Sequence, residues 1–291
     1  MYANFHTLYR FFQFNPKIPN KDRLQKNNPI FVLENSKILK VTFLGTGTSQ
    51  GIPVIGSKHP VCLSNDVKDK RLRTSVLIEW DDYSYVIDCG PDFRQQMLHC
   101  GCEKIDGILF THEHSDHVLG LDDIRPFYFR QGEISIYAHK RVLKSLKKRF
   151  DYIFKTENKY PGAPSVDIHE LDNKSFKLGN LNVIPVKGDH YKLSVYGFRF
   201  KDFCYTTDLK SMKDKEIDKI KGVKTLVVNA LRVEPHYSHF NLKEALQFIE
   251  KVKPERAYLT HISHLLGFHE DVQKDLPKHV FLAYDNLEIT I

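Results

Sequence analysis

Residues 105–117 read Ile105-Asp106-Gly107-Ile108-Leu109-Phe110-Thr111-His112-Glu113-His114-Ser115-Asp116-His117. The apolar run Ile105–Phe110 has the length of a buried strand, and the imidazoles follow it at once. In extended backbone at a strand end, side chains alternate, so His112 and His114 face the same side and can grip one ion. A turn then brings Asp116 and His117 to a second ion. Imidazoles with one carboxylate suit borderline cations such as Zn, Mn or Fe, whereas Ca and Mg prefer oxygen donors. The chain holds 15 histidines, most of which are expected at the surface or paired in the core. This spacing is different, because residue frequencies produce it by chance only on the order of a few times in a thousand.

Three more donors each follow a strand-like run. His190 ends Val183-Ile184-Pro185-Val186-Lys187-Gly188-Asp189-His190, Asp208 follows Phe203-Cys204-Tyr205-Thr206-Thr207, and His261 follows Ala257-Tyr258-Leu259-Thr260. Donors at successive strand ends converge on one rim of a sheet structure. The pattern predicts strands at Ile38–Leu44, Ser75–Trp80, Tyr83–Asp88, Gly107–Phe110 and Ile134–Tyr137, with helices at Pro91–Cys100 and Leu121–Phe129. After a loop at Lys155–Pro164, further strands are predicted at Ser175–Leu178, Leu181–Val186, Val195–Lys201, Phe203–Thr206, Thr225–Asn229 and Arg256–Thr260, with a helix at Leu242–Val252. Hairpins and crossovers in two halves predict an α/β chain with two sheets between helices, a four-layer αββα sandwich.

Residues 1–37 carry Pro16, Pro19 and Pro29 among Asn and Lys, without periodicity, and are expected to be a poorly ordered extension to a folded domain at 38–291. That segment has six basic residues against two acidic ones, which accounts for +4 of the formal +7 on the 291-residue chain. A second basic run, His139–Phe150, has Val142, Leu143, Leu146 and Phe150 at helical spacing. It reads as a helix with a buried stripe and a solvated basic face, in preference to a phosphate-binding surface. No apolar run reaches the length needed to span a bilayer, so no membrane partner is expected. The five cysteines, Cys62, Cys89, Cys100, Cys102 and Cys204, form no Cys-x-x-Cys pair. With no signal peptide at Met1–Asn15, they predict reduced thiols and a cytoplasmic location.

The order His-x-His-x-Asp-His, later His, later Asp, final His resembles the metallo-β-lactamase superfamily over about residues 38–291. That resemblance implies that His112, His114 and His190 hold one cation, that Asp116, His117 and His261 hold the other, and that Asp208 bridges. Val41-Thr42-Phe43-Leu44-Gly45-Thr46-Gly47-Thr48-Ser49-Gln50-Gly51, Ile87-Asp88-Cys89-Gly90-Pro91-Asp92-Phe93-Arg94 and Gly120-Leu121-Asp122-Asp123-Ile124-Arg125-Pro126 are similar to the PhnP-like cyclic phosphodiesterases, which open a ribosyl cyclic phosphate. The glycine loop fails as a dinucleotide fingerprint, since Ile52-Pro53 interrupts the helix that should follow. Its amides remain candidates to meet a phosphate. Where PhnP-like proteins often have a cysteine-rich zinc knuckle, this chain reads Gly56-Ser57-Lys58-His59-Pro60-Val61-Cys62. His59 and Cys62, with His264, are the donors left there, and an ordinary loop is the simpler expectation.

Phosphodiesterase members keep a catalytic histidine ahead of a helix, and Pro235-His236-Tyr237-Ser238-His239-Phe240-Asn241-Leu242 resembles that place. His239 is the candidate acid, although it could instead help start the helix. The implied activity is hydrolysis of a small cyclic phosphodiester: two divalent cations, Mn or Zn, make water nucleophilic near neutral pH, Asp116 orients it, and His239 protonates the leaving oxygen. The competing expectations are a tRNase Z-like endoribonuclease, for which no long Gly/Pro-rich RNA-gripping insertion is visible, and a non-catalytic metal-binding module of the same fold. The filled donor positions argue against the module. Nucleic acid is the less favoured partner, and a homodimer is left open.

Overall fold

The computed structural model describes residues 38–291. The expectation for residues 1–37 lies outside the described residues. One sheet is built from β1 (Lys40–Gly45), β2 (Ser75–Trp80), β3 (Tyr83–Ile87), β4 (Gly107–Leu109), β5 (Ile134–His139) and β6 (Val166–Leu171). The second contains β7 (Phe176–Leu178), β8 (Leu181–His190), β9 (Leu193–Phe200), β10 (Phe203–Tyr205), β11 (Ser211–Met212), β12 (Thr225–Asn229), β13 (Arg256–Thr260) and β14 (Val280–Leu282). β15 (Glu288–Thr290) returns to the first sheet, whose order is β15-β1-β2-β3-β4-β5-β6. The second runs β11-β8-β9-β10-β12-β13-β14, with β7 beside β8.

Period-two alternation sorts the core into three apolar layers. On β2, Val76, Ile78 and Trp80 face a central layer that also holds Val183, Phe198, Phe200, Tyr205 and Val227 of the second sheet. Leu77, between them, points the other way, onto Phe93 and Met97 of the helix Phe93–Cys100 and Val142 and Leu146 of the helix Lys140–Arg149. On β12, Leu226 and Val228 face the helix Leu242–Val252 through Ala245, Phe248 and Ile249, while Val227 faces the centre. The result is the predicted αββα sandwich, with burial of each large apolar side chain contributing about 1.5–3 kcal/mol. The helix Lys140–Arg149 buries Val142, Leu143 and Leu146 and leaves Lys144, Lys147, Lys148 and Arg149 exposed.

Several elements differ from the sequence expectation. The region expected as one helix from Leu121 is a 3-10 turn at Leu121–Ile124 followed by a helix at Arg125–Gln131, with Pro126 in its first turn. The strands β6, β14 and β15 and the helix His269–Asp275 have no counterpart in it. No helix among the described residues is long and apolar enough to cross a membrane.

Candidate metal centre

β4 stops at Leu109, so His112 to His114 lie in a loop and not on an extended strand end. Thr111 fixes that loop: its carbonyl accepts from Tyr196 N at 3.1 Å, and its own N–H donates to Asp88 Oδ1 at 2.8 Å. The chain then makes one helical turn, Ser115–Val118, which carries Asp116 and His117 inward. His190 is the last residue of β8, His261 follows β13 directly, and Asp208 lies three residues beyond β10. Asp208 and His261 have φ of 56° and 54°, left-handed conformations that non-glycine residues rarely adopt. The Asp208 loop is held by Asn229 at the end of β12, whose side chain accepts from Leu209 N at 2.7 Å and donates to Leu209 O at 3.0 Å.

These segments bring seven side chains together in two groups that share one member. His112, His114, His190 and Asp208 form the first; Asp116, His117, Asp208 and His261 form the second. Within each group the potential donor atoms all lie within 4.8 Å of one another. Asp208 divides its carboxylate between them. Oδ1 lies 3.4 Å from His117 Nε2 and 3.2 Å from His261 Nε2, and Oδ2 lies 3.6 Å from His112 Nε2. His239 Nε2 also reaches Oδ2, at 3.2 Å. His114 is exposed, so the first group opens to solvent on that side.

The unpaired atoms test whether cations fit. His112 Nε2, His117 Nε2 and His261 Nε2 are buried without a hydrogen-bond partner, an arrangement that costs free energy unless something else is bound there. The opposite ring nitrogens are anchored: His112 Nδ1 lies 3.0 Å from Thr111 Oγ1, His117 Nδ1 lies 2.6 Å from Asp88 Oδ2, and His190 Nδ1 lies 2.7 Å from Ser238 O. Anchoring one nitrogen and aiming the other is how metal-binding histidines are oriented.

Charge agrees with that geometry. Burial holds His112 well below the ordinary histidine pKa and lowers His190 to about 4, so both are neutral donors. Burial works to raise Asp116 and Asp208, but for Asp116 the contact with His117, and for Asp208 those with His261 and His117, outweigh it and hold both carboxyls below their usual range. Burial disfavours charge on His117 as well, yet Asp116, Asp208 and Asp88 together raise its pKa well above normal. Asp116 and Asp208, held ionised, face one buried spot where positive charge is required, while burial raises the carboxyl of Asp88, on the far side of the His117 ring; ionised carboxylates with imidazole lone pairs are what bind divalent cations. The residues fit the group that the donor pattern implies.

Asp88 was missed as a site residue at the sequence level, although the segment containing it was singled out. Fully buried at φ 63°, it accepts from Thr111 N, from Thr111 Oγ1 at 2.7 Å and from His117 Nδ1. Asp88→Asn is expected to weaken metal affinity about 10- to 100-fold, measured by competition with a chromophoric chelator. Unchanged affinity would remove its orienting role.

One other expectation, that of the glycine loop, meets a different structure. The glycine-loop amides of Gly47 and Thr48 are spent on Leu72 O at 2.7 Å and Ile262 O at 2.9 Å, so they are not free to meet a phosphate. Close approach explains the glycines instead, since a Cβ on Gly45 would lie 2.1 Å from Arg73 O. His59 and His264 stack edge-on at 4.9 Å, but His59 Nδ1 caps a helical turn by accepting from Val61 N, and Cys62 Sγ accepts from Val54 N at 3.5 Å. Among the described residues, the groups able to hold a metal are the two above, and neither includes His59, Cys62 or His264.

The helix Leu242–Val252 is started by a capping box of Asn241 and Glu244, which leaves His239 free of that task.

Residues 83–262 match the family model described as a beta-lactamase superfamily domain. A solved structure described as a new diphosphatase from the PhnP family is 38% identical, with a TM-score of 0.82, covering 87% of this chain and 97% of that one. An octanoyltransferase from Porphyromonas gingivalis is 38% identical over 256 residues, 87% of this chain and 52% of that protein. A ribonuclease Z from Methanocaldococcus jannaschii is 25% identical over 233 residues, 76% of this chain and 62% of that protein. The chain thus spans about half to three fifths of the length of these two curated relatives. With the family model matching well over half the chain and the PhnP-family structure matching along nearly its full length, this protein belongs to the metallo-β-lactamase superfamily of metal-dependent hydrolases and is PhnP-like within it.

Proposed function

We propose that this chain is a phosphodiesterase that hydrolyses a small cyclic phosphate ester, of the phosphoribosyl cyclic phosphate kind, with His112, His114 and His190 holding one divalent cation, Asp116, His117 and His261 a second, and Asp208 shared. The observation that carries this reading is the Asp208 carboxylate, set between the two donor groups with His239 Nε2 on the same oxygen that faces His112. A nucleophile site and a proton donor therefore face one small space, as in-line displacement at phosphorus requires. The resemblance to a PhnP-family diphosphatase supports phosphate chemistry in preference to lactam or thioester hydrolysis.

Bound divalent cations, Mn or Zn, supply acidified water and neutralise charge on the phosphoryl oxygens. The side chains do the rest. Asp116, ionised, accepts a hydrogen bond from the attacking water and aims it. His239, as imidazolium, has an acceptor at each nitrogen: Asp208 Oδ2 for Nε2, and His236 Nδ1 at 3.2 Å or Ser238 Oγ at 3.0 Å for Nδ1. Burial keeps the His239 pKa below the ordinary value against the pull of Asp208, so the imidazolium is a stronger acid but a minor form near neutral pH, and its contribution as acid falls as pH rises.

His239→Ala is expected to slow hydrolysis of an alkyl-leaving-group cyclic ester by about 10²- to 10⁴-fold and to affect a nitrophenyl ester far less, since nitrophenolate leaves without a proton. Equal losses on both substrates would sink the acid role. The substrate class is tested by a screen of cyclic ribosyl phosphate, 2′,3′-cyclic nucleotides and precursor tRNA with Mn or Zn added. Cleavage of the tRNA alone would favour the second reading, an endoribonuclease, which the similarity to ribonuclease Z supports.

A further inference from the structure

A continuous series of rings leads from the donor groups to solvent. His190 and His239 have centroids 4.4 Å apart, His239 and His236 5.1 Å, His236 and Tyr237 4.5 Å, and Tyr237 and Tyr191 5.7 Å with their planes at 86°. Tyr191 and Tyr237 are 58% and 71% exposed, more than Tyr160, the third exposed tyrosine among the described residues. Lys192 Nζ lies 5.3 Å from the Tyr191 ring centroid. From this arrangement we propose that Tyr191 and Tyr237 form a corner that receives the base of a nucleotide substrate, stacked on one ring and edge-on to the other, with its phosphate at the donor groups. The inference rests on the phosphoesterase reading and makes the ester a nucleotide in place of the base-free phosphoribosyl ester.

The backbone at Tyr191 is the independent support. His190 pairs with Leu193, so Tyr191 and Lys192 are the two central residues of a tight hairpin turn. Tyr191 has φ 55°, and glycine or asparagine is the residue such a position favours. A bulky aromatic held in the left-handed region and still largely exposed gains little from packing there, which directs attention to its ring as a binding surface. Tyr237 lies two residues before His239 and Tyr191 directly after His190, so both tyrosines are tied covalently to groups that face the phosphate. Two ring contacts, of 5.1 and 4.5 Å, separate Tyr237 from His239. Stacking on a tyrosine face accepts any base, and the nearby Lys192 cation adds attraction to an anionic nucleotide.

The test is equilibrium binding to the full chain loaded with Zn, by calorimetry, with adenosine 5′-monophosphate and ribose 5-phosphate as probes. The wild type is expected to bind the nucleotide about tenfold or more tightly than the sugar phosphate. The double variant Tyr191→Gly, Tyr237→Ala should lose that advantage and keep its affinity for ribose 5-phosphate within about twofold. Tyr191→Gly should also raise Tm, because it relieves the left-handed turn. A short oligonucleotide that binds more tightly than the mononucleotide, with the gain lost in the double variant, would place the base in an RNA strand; equal binding would place it in a mononucleotide. Equal affinity of the wild type for the two small probes, or an unchanged gap in the double variant, overturns the base-binding corner. An altered sedimentation coefficient with unchanged binding would assign the tyrosines to a contact between copies and overturns it too. Because binding is read without turnover, failure of the base-binding corner is distinct from failure to hydrolyse any phosphodiester.

Discussion

Asp208→Asn is expected to lower kcat/KM on phosphodiesters by about 10³-fold or more, and to reduce the metal bound after dialysis. Asparagine is the informative replacement because it tolerates the left-handed backbone that Asp208 occupies. The fold should survive, so the loss reports on charge. In the wild type, His261 and His117 hold the Asp208 carboxyl ionised against burial, and its two oxygens face different donor groups. A neutral amide keeps one oxygen and turns an NH2 toward imidazole nitrogens that need an acceptor or a cation. Metal analysis of the dialysed variant, alongside its circular dichroism spectrum, separates loss of metal from loss of fold. Full metal content with activity within tenfold of the wild type would show that Asp208 does not join the two groups.

Gly90→Ala should be the most damaging single methyl in the region. A Cβ at Gly90 would stand 2.0 Å from the backbone oxygen of Asp116 and 3.0 Å from its carbonyl carbon. Neither neighbour is a flexible side-chain end. The same segment is pinned to the donor loop by Cys89 N donating to His117 O at 2.9 Å, and by Gly120 N donating to Cys89 O at 2.9 Å. Gly120 has no slack to offer, since its own Cβ would lie 2.1 Å from Gly90 O. The extra methyl must therefore displace the turn that carries Asp116 and His117. A destabilisation of about 3 kcal/mol is expected, or roughly 2–4 °C of Tm for each kcal/mol in a chain of this size, together with weaker metal binding. A thermal melt and a chelator competition check both; a variant unchanged in both would mean that the donor loop is freer than its contacts imply.

What could be read from the sequence depended on how local the signal was. The two-sheet architecture was legible because strands such as Ser75–Trp80, Thr225–Asn229 and Arg256–Thr260 are strongly apolar runs bounded by turns. β6 was not, because an edge strand with Asp167, His169 and Glu170 lacks that apolar signature. β14 and β15 are three residues each, too short to show a period. At the site, His112 to His117 stood out because their donors crowd into six positions. His190, Asp208 and His261 needed the strand-end argument as well. Asp88 and Asn229 carry no such mark: a single Asp before Cys89-Gly90, or an Asn ending a strand, reads as a turn residue until the chain is folded and its partners arrive from 20 or more positions away. The glycine loop misled for the opposite reason, since the same glycines serve phosphate contact or tight backbone packing equally well.

The pairing of β1 with β15 bears on how the first sheet comes to be completed. Val41 is opposite Ile289, and Leu39 and Ile291 exchange backbone hydrogen bonds at 2.9–3.0 Å, so the earliest and latest strands of the described residues lie side by side. The entropy of closing so long a loop grows only logarithmically and costs little more than a loop of half the length, but the search for the contact is slow. During synthesis, β1 therefore waits with one flank of its apolar Val41-Thr42-Phe43-Leu44 stretch unpaired, a template for association with another chain. β15 ends that exposure with a very short strand that turns Glu288 and Thr290 to solvent and sets Glu288 2.8 Å from Lys40. Its three residues serve as a late-arriving guard on the sheet edge.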